Sequence, residues 1–360
     1  MAENQIHRNH HYVHQGYLKR WFSSDNHIWV YRLLVSHPKV PFWKPCSAKG
    51  IAYHSHLYTR IVAGAETDDF ERWLDREFEA PAEEPLYKAT SGARLTPEDW
   101  KRLIRFVAAQ DVRTPARLSE HLTRWQHQLP GILDSTLHES ARKLEDAYRN
   151  GKKIEYQECK EVEYIPLRVT TDKDTEQRLG QLKAEVLIGR GLWLFSMRHL
   201  LTKTVTVLQQ NRWTILTAPD GIEWLTSDDP VVRLNYYRPD VYDFRGGWGN
   251  PGTEILLPLS PRHLLYTKVG VRPPPRGEFP RNMSKLIRRF LAEHAHRLIF
   301  SSQSDSEVFE LRPRVVDPIA VKNEIEQWRR WHEEQSAAER KLRGWQEELS
   351  ASSQLKEKLS

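Results

Sequence analysis

Apolar residues recur along this chain with two periods, and the change from one to the other divides it. Phe70, Trp73, Leu74 and Phe78 fall three and four apart while Glu71 and Glu77 stay off the stripe, which predicts an amphipathic helix over residues 68–78. Thr96-Pro97-Glu98-Asp99 is a helix start, with a hydroxyl N-cap, proline at the first helical position and acids in the first turn. Leu103, Phe106 and Val107 carry that helix onward, and Gln110 lies on its apolar face one heptad after Leu103. Arg113 comes near its end, because Thr114-Pro115 repeats the start signal. Further helices are expected up to Leu129 and from Leu133 to Tyr148, closed by Asn150-Gly151. Residues 152–171 read as a connector or short strand, and residues 179–201 as a long helix interrupted at Gly189-Arg190-Gly191.

A two-residue period marks His27 to Leu33 as a strand and dominates again beyond residue 211. Trp213 to Thr217 and Ile222 to Thr226 flank Ala218-Pro219-Asp220-Gly221 and predict a hairpin, whose second strand delivers Ser227-Asp228-Asp229-Pro230. Glu254 to Ser260 and His263 to Val269 predict a second hairpin, followed by a helix from Asn282 to His296 and a returning strand, Leu298 to Ser301. Residues 236–253 form a glycine-rich, aromatic loop of a length usual in lids or insertions. From Ile319 onward, Ile325, Trp328, Trp331, Leu342, Trp345 and Leu349 describe a long amphipathic helix. The pattern is that of an α+β fold: a block of helices (about 66–210) packed on a mostly antiparallel sheet (about 211–302), together a single domain over 9–318. A disordered N-terminus of residues 1–8 and a helical tail of residues 319–360 flank it.

Composition narrows the setting. No apolar run approaches the ~20 residues of a membrane span, so no membrane partner is expected. The N-terminus lacks the apolar core of a signal peptide, which makes the cytoplasm the expected location. Cys46 and Cys159 are the only cysteines, so free thiols are expected rather than a disulfide framework or a thiolate zinc site. The net charge of +6 is spread among acidic residues and permits nucleic-acid binding without implying it.

Asp228 and Asp229 stand at a strand end, where two carboxylates make either an Asx-type turn or a site. His10 and His11 are neighbours and point apart, so at most one belongs in any given site. Arg289 and His294 match the R-x4-H spacing of certain helical ribonucleases. No phosphate-binding glycine loop, dinucleotide fingerprint, G-x-S-x-G elbow or H-E-x-x-H helix is present.

Several blocks in order carry a resemblance. They are Asn9-His10-His11-Tyr12-Val13 with Tyr17-Leu18-Lys19; Lys49-Gly50-Ile51-Ala52 with Tyr58-Thr59; Glu71 and Glu77; Phe106 through Pro115; Thr226 through Val231; Leu257 through Pro261; and Asn282. Over about residues 9 to 305 the chain resembles an uncharacterised bacterial family, domain of unknown function 4238. Two positions depart from that pattern, His14 where proline is usual and Gly16 where a bulkier residue is usual. The resemblance implies that His11, Gln110, Arg113, Asp228 and Asn282 belong to one structural or active centre.

The resulting expectation is a metal-dependent hydrolase acting on nucleic acid or another phosphate compound. His11, Gln110, Arg113 and Asp228 are its candidate catalytic residues, and His10, Ser227 and Asn282 its candidate binding residues. Asp228 and Glu71 are the candidate ligands for magnesium or manganese, hard cations that favour oxygen. The alternative is a non-catalytic binding or interaction protein whose polar cluster is structural. The tail helix could dock on the body or pair with a second copy as a homodimer.

Overall fold

The helix start at Thr96 is realised in full. Thr96 Oγ1 accepts from the Asp99 N–H at 3.1 Å, Asp99 Oδ2 accepts from the Thr96 N–H at 2.9 Å, and the helix Pro97–Val112 follows. A computed structural model of the chain describes residues 7–62, 65–152, 166–174 and 179–358. The expected disorder of residues 1–6, the connector over 153–165 and Cys159 lie outside the described residues. His7 and Arg8 are tied down: the His7 N–H donates to Asp68 Oδ2 at 3.0 Å, and the Arg8 carbonyl accepts from the His56 N–H at 2.7 Å.

Two compact units make up the described chain. The first takes the described parts of 1–59, 67–117 and 197–332 and holds both larger sheets. One sheet has six strands in the order Val241–Asp243, Val232–Arg238, Glu254–Ser260, His263–Lys268, Thr214–Thr217 and Gly277–Glu278, antiparallel except for the last pair. The other is antiparallel, in the order Thr226–Ser227, Leu298–Ser301, Ile28–Arg32 and Trp43–Cys46. Helix Arg281–His294 serves both cores. Ile287, Phe290 and Leu291 pack with Leu216, Trp224, Leu256 and Leu264, while Ala292 joins Tyr31, Leu225 and Ile299. The fold is α+β.

The expected hairpin around Pro219 does not form. The turn exists, with the Ile222 N–H donating to the Pro219 carbonyl at 3.1 Å and Gly221 at φ 76°. Its flanks, however, enter different sheets. Thr214–Thr217 pairs with His263–Lys268, and Thr226–Ser227 pairs with Leu298–Ser301. The turn packs instead against the loop of the second hairpin: the Ala218 and Trp224 N–H groups donate to the Arg262 and Pro261 carbonyls, and the Arg262 guanidinium donates to the Pro219 carbonyl and to Asp220. The long loop is also docked on the body, since the buried Trp248 donates to Asp111 Oδ2 at 2.7 Å.

The second unit takes the described parts of 60–66, 118–196 and 333–360. There Leu179–Val186 is a strand paired with Leu167–Asp174, not the first half of a helix; the helix begins at Arg190. Helix Pro115–Arg149, which enters this unit at Leu118, is continuous through Pro130. Pro130 is exposed, so water is available to the backbone carbonyl its missing N–H leaves free. Arg190 is fully buried and donates to Glu339 and Ser336.

The tail is helical over Pro318–Lys358. Within the first unit it docks back on the body: the Trp328 ring stacks on His54 and the His332 ring on His56, each at 3.8 Å, and Glu324 pairs with Arg297 at 2.8 Å. No helix of the described residues is long and apolar enough to cross a membrane.

Candidate functional site: a histidine and carboxylate cleft

Three segments of the first unit meet around a cleft. The first is helix Asp69–Leu74, which widens into a π-turn at Asp75–Glu79 before a 3-10 turn at Ala80–Ala82. Pro81 offers no N–H to the Glu77 carbonyl, which accepts from Arg105 Nη2 at 3.3 Å instead. Glu71, Asp75 and Glu79, four apart in sequence, all line the cleft. The second segment is strand Asn9–His11, paired with Tyr53–Ser55, and the turn after it; these supply His11 and His14. The end of helix Pro97–Val112 supplies Gln110 and Arg113. The cavity measures about 300 Å³, and Asp68 and Arg72 complete its lining on the helix side.

His11 is 8% exposed, and neither ring nitrogen has a hydrogen-bond partner among the described residues. Its ring lies on Tyr53 with centroids 5.5 Å apart. Burial, reinforced by the nearby Arg113 charge, pulls its pKa down to about 4, so the ring is neutral at pH 7. Burial also lowers the pKa of His14, whose Nδ1 likewise has no partner among the described residues. The His14 N–H donates to Gln110 Oε1 at 3.2 Å; Gln110 is fully buried and its Nε2 has no partner among the described residues. His14 needs the glycine two residues on, because a Cβ at Gly16 would lie 2.7 Å from His14 Cε1.

Glu71 carries the complementary perturbation. Burial pushes its pKa up to about 8 against the pull of Arg113, with Glu79 adding to the rise, and its Oε2 has no partner among the described residues. Arg113 is fully buried and fixed: Nη1 pairs with Glu79 Oε1, Nη2 donates to the His11 carbonyl, and its own carbonyl accepts from the Tyr58 hydroxyl at 2.7 Å. Burial alone would lower the Arg113 pKa, but Glu79, Tyr58 and Glu71 outweigh it and raise it. Both guanidiniums of the cleft are engaged with carboxylates, since Arg72 pairs with Asp68 at 2.9 Å. No three of the cleft's imidazole and carboxylate ligand atoms, among the described residues, lie within 4.8 Å of one another.

The expected single centre therefore divides. His11, Gln110, Arg113 and Glu71 come together, and His10, Ser227, Asp228 and Asn282 do not line the cleft. His10 is buried with both ring nitrogens used, Nδ1 accepting from the Tyr58 N–H and Nε2 donating to the His7 carbonyl, each at 2.8 Å. Asp228 is buried and accepts from the His296 and Arg297 N–H groups at 3.0 and 2.8 Å, so it is a backbone cap where helix Arg281–His294 gives way to strand Leu298–Ser301. Ser227 Oγ accepts from the Asp229 N–H at 3.2 Å, the Asx-like turn expected of these residue types. Asn282 is exposed in the first turn of its helix. Glu77 pairs with Arg76 and Arg105 outside the cleft lining.

A second polar cluster is closed. Asp111 accepts from Arg117 Nε at 3.0 Å and from Trp248; Asp229 accepts from Thr114 Oγ1 at 2.9 Å and lies 3.5 Å from His294 Nε2. The Asp229 carbonyl lies 3.0 Å from His294 Nδ1. His294 is thus a bonded core histidine, while Arg289 turns to Glu293 at 2.7 Å and lies over the Tyr242 ring. The R-x4-H pair points to different places and builds no common site.

Sequence reasoning missed His14, Asp75 and Glu79. The available signal was the spacing of Glu71, Asp75 and Glu79, four apart on one helical face. An α+β architecture that gathers histidines and four acidic side chains around one cleft defines the class of molecule. Within it, the chain belongs to the family described as "Protein of unknown function (DUF4238)", whose model matches residues 9–305 and so spans the cleft from His11 to Arg113. No curated protein and no solved structure matches the chain.

Proposed function

We propose that the protein is a metal-dependent hydrolase acting on nucleic acid or another phosphate compound, with its centre in the His11–Glu71 cleft. The observation that carries this reading is a pair of buried, unpartnered groups at an open cavity, the two ring nitrogens of His11 and Glu71 Oε2. Buried polar atoms in a folded core normally find partners, so groups left unsatisfied beside a cavity are suited to a ligand. Acidic side chains outnumber the guanidiniums of the cleft, and both guanidiniums are already paired, which favours a cation there over a bare phosphate. The ligand atoms are not drawn into a tight cage, which suits magnesium or manganese that keeps part of its water. Glu71, on losing its proton, would hold the ion; His11, neutral at pH 7, would accept a proton from attacking water. The structural alternative fits the closed Asp111–Asp229 cluster, whose members are bonded, and does not account for His11.

The test is a screen of DNA, RNA and small phosphodiesters with magnesium or manganese, run in parallel on Glu71→Gln. Metal-dependent hydrolysis that falls at least a hundredfold in the variant is expected. Absence of hydrolysis with either ion, or full activity in Glu71→Gln, rejects the reading.

A further inference from the structure

Two adjoining cavities of about 300 and 560 Å³ in the first unit share Trp100, Arg212 and Trp213, and so form one groove. It has no lining residue in common with the His11–Glu71 cleft. Among the described residues no carboxylate lines it, while Lys101, Arg212, Arg272 and Arg276 do. Arg212 and Arg272 are exposed, and neither guanidinium has a hydrogen-bond or ion-pair partner among the described residues. Arg276 is held in place by the Ala89 and Ala93 carbonyls, which accept from it at 3.2 and 3.1 Å without neutralising it. Trp100 and Trp213 are each half-buried; the Trp213 N–H is fixed on the Leu208 carbonyl at 3.1 Å, which sets the ring plane. Pro273, Pro274 and Pro275 make one wall of restricted backbone.

We infer that this groove binds a single-stranded polynucleotide. Indole faces in a cationic, carboxylate-free groove supply what such a strand presents, exposed base faces for stacking and a phosphate at every step for guanidinium. A duplex hides its base faces, and an acidic peptide makes no use of the indoles. The inference does not rest on the hydrolase reading, because binding at the groove needs no chemistry at the cleft.

Fluorescence anisotropy of the full-length protein with labelled 12-nucleotide oligodeoxythymidine and oligouridine tests it, against a duplex of the same length and a 12-residue polyglutamate. Arg212→Ala/Arg272→Ala and Trp100→Leu are the groove variants; Glu71→Gln marks the cleft. Single strands of at least one sugar type are expected to bind more tightly than duplex or peptide. The double arginine variant should weaken that binding at least tenfold and reduce the slope of log K against log salt by about 1.4, two phosphate contacts at about 0.7 each. Trp100→Leu should weaken it about fivefold or more. Glu71→Gln should bind as the parent does, which keeps failure of the cleft separate from failure of the groove. No single-strand binding at 50 mM salt, equal binding of peptide or duplex, or insensitivity to both groove variants overturns the inference.

Discussion

His14 occupies its place because residue 16 has no side chain. The helix Gln15–Leu18 would accept alanine at that position, and alanine is the better helix former by roughly 1 kcal/mol. The new Cβ would nevertheless meet the imidazole at 2.7 Å, and the ring, being a side chain, would swing away. Gly16→Ala is therefore expected to leave the melting temperature unchanged or slightly raised while lowering metal affinity and hydrolysis severalfold. Calorimetric titration with manganese beside a thermal melt separates the two effects, and a variant unchanged in both would remove His14 from the site. Asp228 should behave in the opposite way. Its carboxyl group accepts two backbone N–H groups, one on each oxygen, and an Asn amide would turn an NH2 toward one of them. Asp228→Asn should cost about 1–3 kcal/mol, the range for a buried donor left unpaired, and leave activity intact. A melt at pH 6 and an assay of the folded protein decide it; unchanged stability with lost activity would return Asp228 to the site.

At the scale of elements, what could be read from the sequence was whatever is encoded locally. The capping box at Thr96, the strand Ile28–Arg32, the hairpin of Glu254–Ser260 with His263–Lys268, and the tail helix each carry their signal within a few residues. The failures needed information from far along the chain. Thr214–Thr217 and Thr226–Ser227 flank a good turn, but they pair with strands far along the chain, Thr214 with Tyr266 and Ser227 with Ile299. Leu182, Ala184 and Val186 fit a strand and a helix equally over so short a run. The cleft was half legible: His11, Gln110, Arg113 and Glu71 were identifiable, but the π-turn at Asp75–Glu79 that brings Glu79 to Arg113 left no mark in the pattern. The tail belongs to this scale too. Trp328 and His332, one turn apart, stack on His54 and His56, so the helix is part of the first unit's surface and not only an appendage. Truncation after Asp317 is expected to lower the melting temperature, and Trp328→Ala to reproduce part of that loss. An unchanged melt after truncation would show these stacks to be energetically idle.

For the molecule as a whole, its buried titratable groups set opposing dependences on pH. Burial lowers the pKa of His10, His11 and His54 from 6.5 to about 4. Between those values the unfolded chain binds protons that the folded chain refuses, so stability is lost as pH falls from about 6.5 toward 4. Burial also lowers His14, His263, His294 and His296, which add in the same direction. Glu71 and Asp228 oppose them. Raised by burial to about 8 and about 7, they keep protons that the unfolded chain has released above 4.5 and 3.8, and stability is lost as pH rises through that interval. Below 6.5 the histidines outnumber the two acids; above 6.5 the unfolded histidines are neutral and the acids alone act. Stability in metal-free buffer should therefore peak near pH 6.5 and decline on both sides. Two substitutions take the limbs apart. Glu71→Gln cannot ionise and should flatten the decline between pH 6.5 and 8, while His54→Phe keeps a ring for Trp328 to stack on and should make the acid limb shallower. Thermal melts of the three proteins from pH 4 to 8 measure this directly: a flat parent profile, or an alkaline limb unchanged in Glu71→Gln, would show that Glu71 does not hold its proton in the folded protein.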